Sequence, residues 1–124
     1  MNMDCIFCKI INGDIPSYTV YEDEYVKCFL DINPESNGHI LIIPKKHFKD
    51  IKDIEIDYVT KVFEAAKKVV KLLDAAFSPD GYRLTQNNGN IQDVLHYHLH
   101  VIPTYKTKQD KLNLEEVYNK IIVK

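Results

Sequence analysis

Hydrophobic residues are concentrated in five short segments of this chain, and these segments predict β-strands. The segments are rich in β-branched and aromatic residues, and clusters of turn-forming residues separate them, most clearly at residues 33–38. We predict strands over residues 18–21, 25–30, 39–43, 82–86 and 94–102. Pro44 ends the third predicted strand and Pro103 ends the fifth.

Between the third and fourth strands the hydrophobic spacing lengthens to three and four residues, which predicts one long amphipathic helix over residues 56–77. Its predicted buried face comprises Ile56, Val59, Phe63, Ala66, Val70, Leu73 and Phe77. Short helices are predicted at the amino end, capped by Asp4 and ending at Ile11, and over residues 114–122. Strands in runs with one inserted helix predict an α+β fold, an antiparallel sheet of about five strands with helices packed on one face.

Length and composition limit the classes of protein that this chain can represent. Its 124 residues fit a single domain spanning residues 1–124. A formal net charge of −2 provides no positive field for nucleic acid, so we expect no nucleic-acid partner. The apolar run at residues 40–43 is too short to cross a bilayer, and we expect no membrane partner. Three cysteines do not form a disulfide framework, which favours a reducing, cytoplasmic location.

Three histidines alternate in the fifth predicted strand, where His96, His98 and His100 share one face and Tyr97 and Leu99 share the other. Such a row is unfavourable in a core, because each ring nitrogen needs a partner. One alternative is a solvated sheet face. The others are metal binding and nucleophilic catalysis, in which a neutral imidazole attacks phosphorus and forms a phosphoramidate intermediate.

Cys5 and Cys8 form a Cys-x-x-Cys pair, which is compatible with a metal site or a redox pair. A redox motif ordinarily follows a strand, and no strand is predicted before Cys5, which favours metal. A closed zinc site needs two further ligands, for which the five histidines and Cys28 are candidates. Cys28 alternates with Val26 and Leu30, so we predict that it lies in the core.

Seven segments, in order, resemble the nucleotide-binding branch of the histidine triad (HIT) family. They are CIFCKII at 5–11, GDIP at 13–16, YED at 21–23, FLDI at 29–32, GH at 38–39, IPKKH at 43–47 and HYHLHVI at 96–102. The resemblance covers roughly residues 5 to 105. It implies an antiparallel sheet with helices, a homodimer, and hydrolysis or nucleotidyl transfer at the α-phosphate of purine nucleotide derivatives such as phosphoramidates or dinucleoside polyphosphates. A non-catalytic nucleotide-binding or scaffold protein is the alternative.

The resemblance also implies a role for individual residues. His98 would be the nucleophile, His100 would donate to the phosphate or bridging oxygen, and His39 would support the triad from a neighbouring strand. Asp31 would accept the ribose hydroxyls. The base pocket would be walled by Phe7, Ile10, Phe29 and Ile32. Gln92 is a candidate donor to phosphate. Asn87 and Asn88 are candidate phosphate or ribose contacts, although loop asparagines are more often turn formers. Zinc-carrying relatives imply a structural zinc site at Cys5, Cys8, His47 and His96.

One position departs from the family pattern. Relatives often carry serine or threonine after the glutamine that precedes the triad, and here that residue is Asp93. An ionised carboxylate cannot donate a hydrogen bond and would repel an anionic leaving group. Lysines 45, 46, 49 and 52 form a basic cluster that is compatible with phosphate attraction or with an ordinary charged turn.

Overall fold

The structure of the protein is a computed structural model that describes residues 5–122. Within that range the strands are β1 (Thr19–Glu22), β2 (Val26–Leu30), β3 (Ile40–Pro44), β4 (Gly81–Thr85) and β5 (Leu99–Thr104). The helices are α1 (Ile6–Ile11), α2 (Ile56–Phe77) and α3 (Leu114–Ile122), and a 3₁₀ turn spans Gly89–Ile91. The limits of α2 and α3 agree with those predicted. No helix among these residues is both long and apolar enough to span a bilayer.

The five strands form one antiparallel sheet in the order β1-β2-β3-β5-β4. The predicted α+β fold with a five-stranded antiparallel sheet is therefore confirmed. In this order β3 and β5 are neighbours, and Leu41 of β3 pairs with His100 of β5. Phe29 of β2 pairs with Leu41 on its other side. These three side chains consequently lie in one row across the sheet.

The sheet is covered on both faces. Its larger core lies against α2 and α3, with Cys28 and Leu99 among the sheet residues that fill it. The opposite face packs against α1 through Phe29, Leu41 and Ile43. The expectation that all helices pack on one face is wrong, because α1 covers the second face. That second face carries His100, so α1 and the histidine row lie on the same side of the sheet.

The long helix α2 buries a face rotated from the predicted one. Ala66 and Leu73 are buried as predicted, and three other predicted residues pack partly buried against the same core, namely Val59, Val70 and Phe77. Its buried residues are Val62, Ala65, Ala66, Val69 and Leu73. Ile56 and Phe63, both predicted to be buried, are 76% and 42% exposed. Apolar residues occupy neighbouring positions around the helix, and packing against the sheet selects a face rotated from the predicted stripe. The helix ends at Ser78, which adopts a left-handed conformation with φ of 47°.

Strand β5 begins later and ends later than predicted. In the register of β5 with β3, Tyr97 would lie opposite Pro44, which has no N–H for the ladder. The Tyr97 amide instead donates to the carbonyl of Phe48 at 2.7 Å. At the other end, Pro103 remains in the strand because it lies beyond the end of β3 and pairs only with Tyr82 of β4.

The turn before β3 positions His39. Gly38 has φ of +94°, and a Cβ on it would lie 2.8 Å from Leu73 Cδ2 of α2. Glycine is required there by both the backbone conformation and the close approach to the core. At the amino end, Cys5 caps α1, because its Sγ accepts from the Cys8 amide at 3.2 Å. The predicted cap, Asp4, lies outside the described residues.

Candidate active site and metal centre

Four soft ligands meet where α1 approaches the sheet. Cys5 and Cys8 come from the start of α1, His47 follows β3, and His96 precedes β5. The ligand atoms of these residues all lie within 4.8 Å of one another. Cys5 Sγ and His96 Nδ1 are 3.3 Å apart, as are Cys8 Sγ and His47 Nδ1. Residues up to 91 positions apart in sequence thus form one compact cluster.

The hydrogen bonding of His96 aims a lone pair into this cluster. Its Nε2 lies 2.9 Å from the Pro44 carbonyl oxygen, which only accepts, so the proton resides on Nε2 and Nδ1 faces the cysteines. Burial lowers the pKa of His96 to about 4, which keeps the ring neutral at physiological pH. Two cysteines and two histidines in this arrangement fit a closed tetrahedral zinc site with a backbone carbonyl behind one ligand. Such a site has no position open for substrate.

His98 is oriented by the backbone of its own segment. Its Nδ1 lies 2.8 Å from the carbonyl oxygen of His96, so Nδ1 carries the proton and donates it. In the neutral ring, Nε2 then keeps its lone pair. The Phe7 ring packs edge-on against His98 at a centroid distance of 5.1 Å. His98 is 4% exposed and lines a cavity, which is the arrangement that a histidine nucleophile requires.

A relay of hydrogen bonds through His39 determines which ring nitrogen of His100 carries the proton. The Glu35 amide donates to His39 Nδ1 at 3.0 Å, so the proton of neutral His39 lies on Nε2. His39 Nε2 lies 2.9 Å from His100 Nδ1 and 3.5 Å from Asp31 Oδ2. Donation from His39 to His100 leaves the His100 proton on Nε2. His100 therefore has a donor available beside His98, whose ring centroid is 5.0 Å away.

Both histidines of this relay are held in the neutral form. Burial lowers the pKa of His39, against the opposing charge of Asp31. Burial, followed by the neighbouring His98 and His39 rings, lowers the pKa of His100. Neutral rings are what the relay needs, because a doubly protonated His39 or His100 would leave two donors facing each other.

A cavity of about 630 Å³ adjoins His98 and His100. Asp31, the predicted acceptor of the ribose hydroxyls, lines it together with the four residues predicted to wall the base pocket: Phe7, Ile10, Phe29 and Ile32. Ile32 is 76% exposed and lies at the rim. The lining also contains residues that the sequence did not indicate, namely Ile15, Tyr18, Val94 and Leu114. They come from three separate segments, since Ile15 and Tyr18 share the loop before β1, and no local spacing pattern connects the three.

Three predicted polar contacts are not brought to the cavity. Gln92 is buried, with its amide nitrogen donating to the carbonyls of Lys49 and Val94 and its oxygen accepting from the Gly89 amide. Asn87 is exposed after β4 and does not line the cavity. Asn88 accepts from the Ile51 amide at 2.8 Å. Gln92 and Asn88 hold the loop before the triad in place, with both ends of the Gln92 amide and the side-chain oxygen of Asn88 engaged.

Two further features lie apart from these residues. Cys28 is fully buried in the larger core, as predicted, and burial raises the pKa of its thiol. A second cavity, of about 450 Å³, is lined by Arg83, Tyr105 and Lys108 among others. It contains none of the predicted site residues.

Comparison with known proteins agrees with this geometry. A family model described as the HIT domain matches residues 12–107. An uncharacterized HIT-like protein of Methanocaldococcus jannaschii is 44% identical, with 93% of this chain and 90% of that protein covered. Adenosine 5′-monophosphoramidase of Schizosaccharomyces pombe is 43% identical, with 82% of this chain and 74% of that protein covered.

Solved structures include a zinc-bound relative. The crystal structure of a Zn-bound histidine triad family protein from Mycobacterium smegmatis has a TM-score of 0.87 and 32% identity. It covers 96% of this chain and 91% of that one. A Hit-like protein from Bartonella henselae has a TM-score of 0.88 and 36% identity, covering 98% and 96% of the two chains.

Proposed function

Because the chain belongs to the HIT domain family, we propose that it is a nucleotide hydrolase that cleaves purine nucleotide derivatives at the α-phosphate. The observation that carries the proposal is the 2.8 Å contact between His98 Nδ1 and the His96 carbonyl oxygen. It leaves the opposite nitrogen of a neutral ring free to attack phosphorus. The similarity to adenosine 5′-monophosphoramidase favours nucleoside phosphoramidates as the substrate class.

The first step forms a bond between His98 Nε2 and the α-phosphorus and breaks the bond from phosphorus to the leaving group. The leaving amine takes its proton from His100 Nε2, which the His39 relay keeps protonated. Water then attacks the phosphorus, returns one proton to His100 Nε2 and breaks the bond to His98. This step releases the nucleoside monophosphate and restores both neutral rings. Another acceptor in place of water makes the same intermediate a nucleotidyl donor.

Substrate binding uses the cavity beside the two histidines. Phe7, Ile10 and Phe29 supply apolar surface for a purine base, with Ile32 at the rim. Asp31 offers carboxylate oxygens for the ribose hydroxyls. Its Oδ1 already accepts from the Asn33 amide at 2.9 Å, which fixes the orientation of the carboxylate. The cavity therefore holds the nucleoside on one side of the nucleophile.

We propose that Cys5, Cys8, His47 and His96 bind one structural zinc ion, as their donor chemistry and mutual distances favour. A bound zinc ion would tie α1 to the segment that carries His98. Because Phe7 of α1 also packs on His98, the bound zinc ion would hold the cavity wall at a fixed position relative to the nucleophile.

The test is a His98→Ala variant assayed with adenosine 5′-phosphoramidate. Removing the nucleophile should abolish release of the monophosphate while purine nucleotide binding stays within about tenfold, since the cavity wall is retained. Base quenching of the wild-type reaction, read by mass spectrometry, should trap an adenylylated His98, because the phosphorus–nitrogen bond of the intermediate is stable in base and labile in acid. A variant with full turnover would disprove the covalent mechanism.

The same assay separates the alternatives. A wild-type protein that binds the nucleotide and never releases monophosphate is the non-catalytic binding or scaffold protein. A metal-dependent hydrolase would lose chemistry as soon as a chelator is added. In the mechanism proposed here the chelator acts through stability, and turnover of the remaining folded enzyme persists.

A further inference from the structure

We propose that Asp93 makes the protein selective for substrates whose leaving group is an amine carrying a positive charge, and that it disfavours polyphosphates. This inference deepens the proposed function and rests on it, because it concerns the group that departs when His98 attacks.

The Asp93 carboxylate lies at the cavity without a partner. It lines the same cavity as His98 and His100 and is solvent-exposed. Among residues 5–122, its side chain forms no hydrogen bond or ion pair. Asp31, the other acid of the lining, is engaged with the Asn33 amide and faces His39. Asp93 is thus the acidic group of the cavity that is available to an incoming substrate.

No basic side chain lines the cavity with Asp93. Of the residues that the structure describes, its lining contains no lysine or arginine, and its carboxylates and imidazoles are those of Asp31, Asp93, His98 and His100. The four lysines at residues 45–52 do not line it, and two of them are ion-paired with other residues. Lys45 pairs with Glu22 at 2.8 Å and Lys46 with Glu55 at 2.9 Å. A polyphosphate leaving group would bring several negative charges to a cavity that lacks a permanent cation, and this raises the free energy of its bound state.

A leaving amine that carries a second, positively charged amino group is attracted to the cavity instead of repelled. In the reaction, the bond from phosphorus to the amine nitrogen breaks, and that nitrogen departs with the proton from His100. The ammonium at the far end of the amine keeps its charge throughout and can pair with Asp93. For charges about 6 Å apart in a water-like dielectric, Coulomb's law gives roughly a threefold effect per unit charge, hence about tenfold between ammonium and carboxylate substrates.

The experiment uses three adenosine 5′-phosphoramidates made from 1,4-diaminobutane, pentylamine and 5-aminopentanoate. Their leaving amines have equal chain length and end in an ammonium, a methyl and a carboxylate group. We expect wild-type kcat/KM to fall in that order, with about tenfold or more between the first and the last. A dinucleoside polyphosphate should be a poorer substrate than the diaminobutane derivative.

Three variants assign the preference to Asp93. Asp93→Asn should remove most of the charge preference, and Asp93→Lys should reverse it. Asp57→Asn is the matched control, because Asp57 is an exposed acid in the first turn of α2 that does not line the cavity, and it should leave the preference unchanged.

Two results would overturn the inference, and they are distinguishable. If all three phosphoramidates are cleaved and Asp93→Asn leaves their kcat/KM ratios within twofold of wild type, the inference is wrong and the proposed function stands. If the wild-type protein cleaves none of them, both fail.

Discussion

At the scale of single residues, the backbone assigns the protons of the histidines. A carbonyl accepts from His98 Nδ1 and from His96 Nε2, whereas an amide donates to His39 Nδ1. Carbonyls only accept and amides only donate, so each contact determines which ring nitrogen is protonated. The three rings therefore have different roles, because different backbone groups face them. His96 directs a lone pair towards the two cysteines, His98 directs a lone pair towards the cavity, and His39 directs a donor towards His100.

His39 is accordingly expected to act as a positioning residue. His39→Leu removes the donor to His100 Nδ1, so the His100 proton is no longer held on Nε2. We expect kcat to fall about 100-fold, within the range for general acid catalysis, with KM little changed. His39→Gln, which retains an N–H donor, should recover part of the loss. Equal kcat for the leucine variant and wild type would contradict this role.

The pH profile distinguishes this role from a purely structural one. The pKa of His39 and of His100 is lowered from 6.5, mainly by burial, so both rings stay neutral as the pH falls through 6.5. Protonation of these two rings should therefore lower wild-type kcat mainly below pH 6.5. The His39 ring contributes to lowering the pKa of His100. In His39→Leu the acid limb of the profile should move to higher pH.

Among the elements, α1 depends most on contacts with the rest of the chain. It has six residues, too few for a helix that is stable in isolation. Its attachments are the apolar contacts of Phe7 and Ile10 and the Cys5, Cys8, His47 and His96 cluster. Because α1 forms one wall of the cavity, the proposed zinc ion would act on the site through the position of this helix.

Removal of zinc should therefore lower stability more than it lowers chemistry. If free zinc exceeds its Kd a thousandfold, stripping it should reduce the free energy of unfolding by roughly 4 kcal/mol. Thermal unfolding with and without a chelator measures the loss, and elemental analysis should find one zinc per chain. Cys8→Ser should abolish zinc binding. Cys28→Ala is the matched control, since Cys28 lies in the other core and its loss should leave zinc in place.

The elements also mark the limit of sequence-based prediction. The ends of α2 were predictable, because a turn-forming Ser-Pro-Asp-Gly segment follows its last apolar residue. Its buried face was not, since Val62 and Phe63 are adjacent apolar residues and only the position of the sheet decides between them. The start of β5 was not predictable, because it depends on Pro44 of β3. Pro44 lies 52 residues before His96 in the sequence, and no local pattern shows that the two segments are neighbours.

The candidate site was predictable to a similar degree. Alternation indicated that His98 and His100 lie on one side of the sheet. The family resemblance supplied the other predicted residues of the cavity and the predicted metal ligands. The environment of Gln92 was not predictable, because its internal hydrogen bonds involve Lys49 and Gly89, which the sequence gives no reason to place beside it. The same holds for Leu114, which reaches the cavity from the start of α3.

For the whole molecule, the sheet has an edge that a second copy would cover. Strand β4 pairs with β5 on one side only, and its residues Arg83, Leu84 and Thr85 are exposed. Ile91, just after this strand, is 71% exposed, and Leu95 is 50% exposed. Exposed strand edges with apolar side chains favour pairing with another chain, and the family resemblance implies a homodimer. We expect two copies to pair through β4, which joins their sheets into one.

Sedimentation equilibrium should then give twice the 14.4 kDa chain mass. Leu84→Lys places a charge on the exposed edge strand of each copy, and charged side chains disfavour pairing of edge strands, so this variant should sediment as a monomer. Ile56→Lys is the control, because Ile56 is 76% exposed at the start of α2 and its replacement should leave the dimer intact. A wild-type protein that sediments as a monomer at micromolar concentration would refute the pairing. A Leu84→Lys variant that remains dimeric would instead assign the interface to another surface.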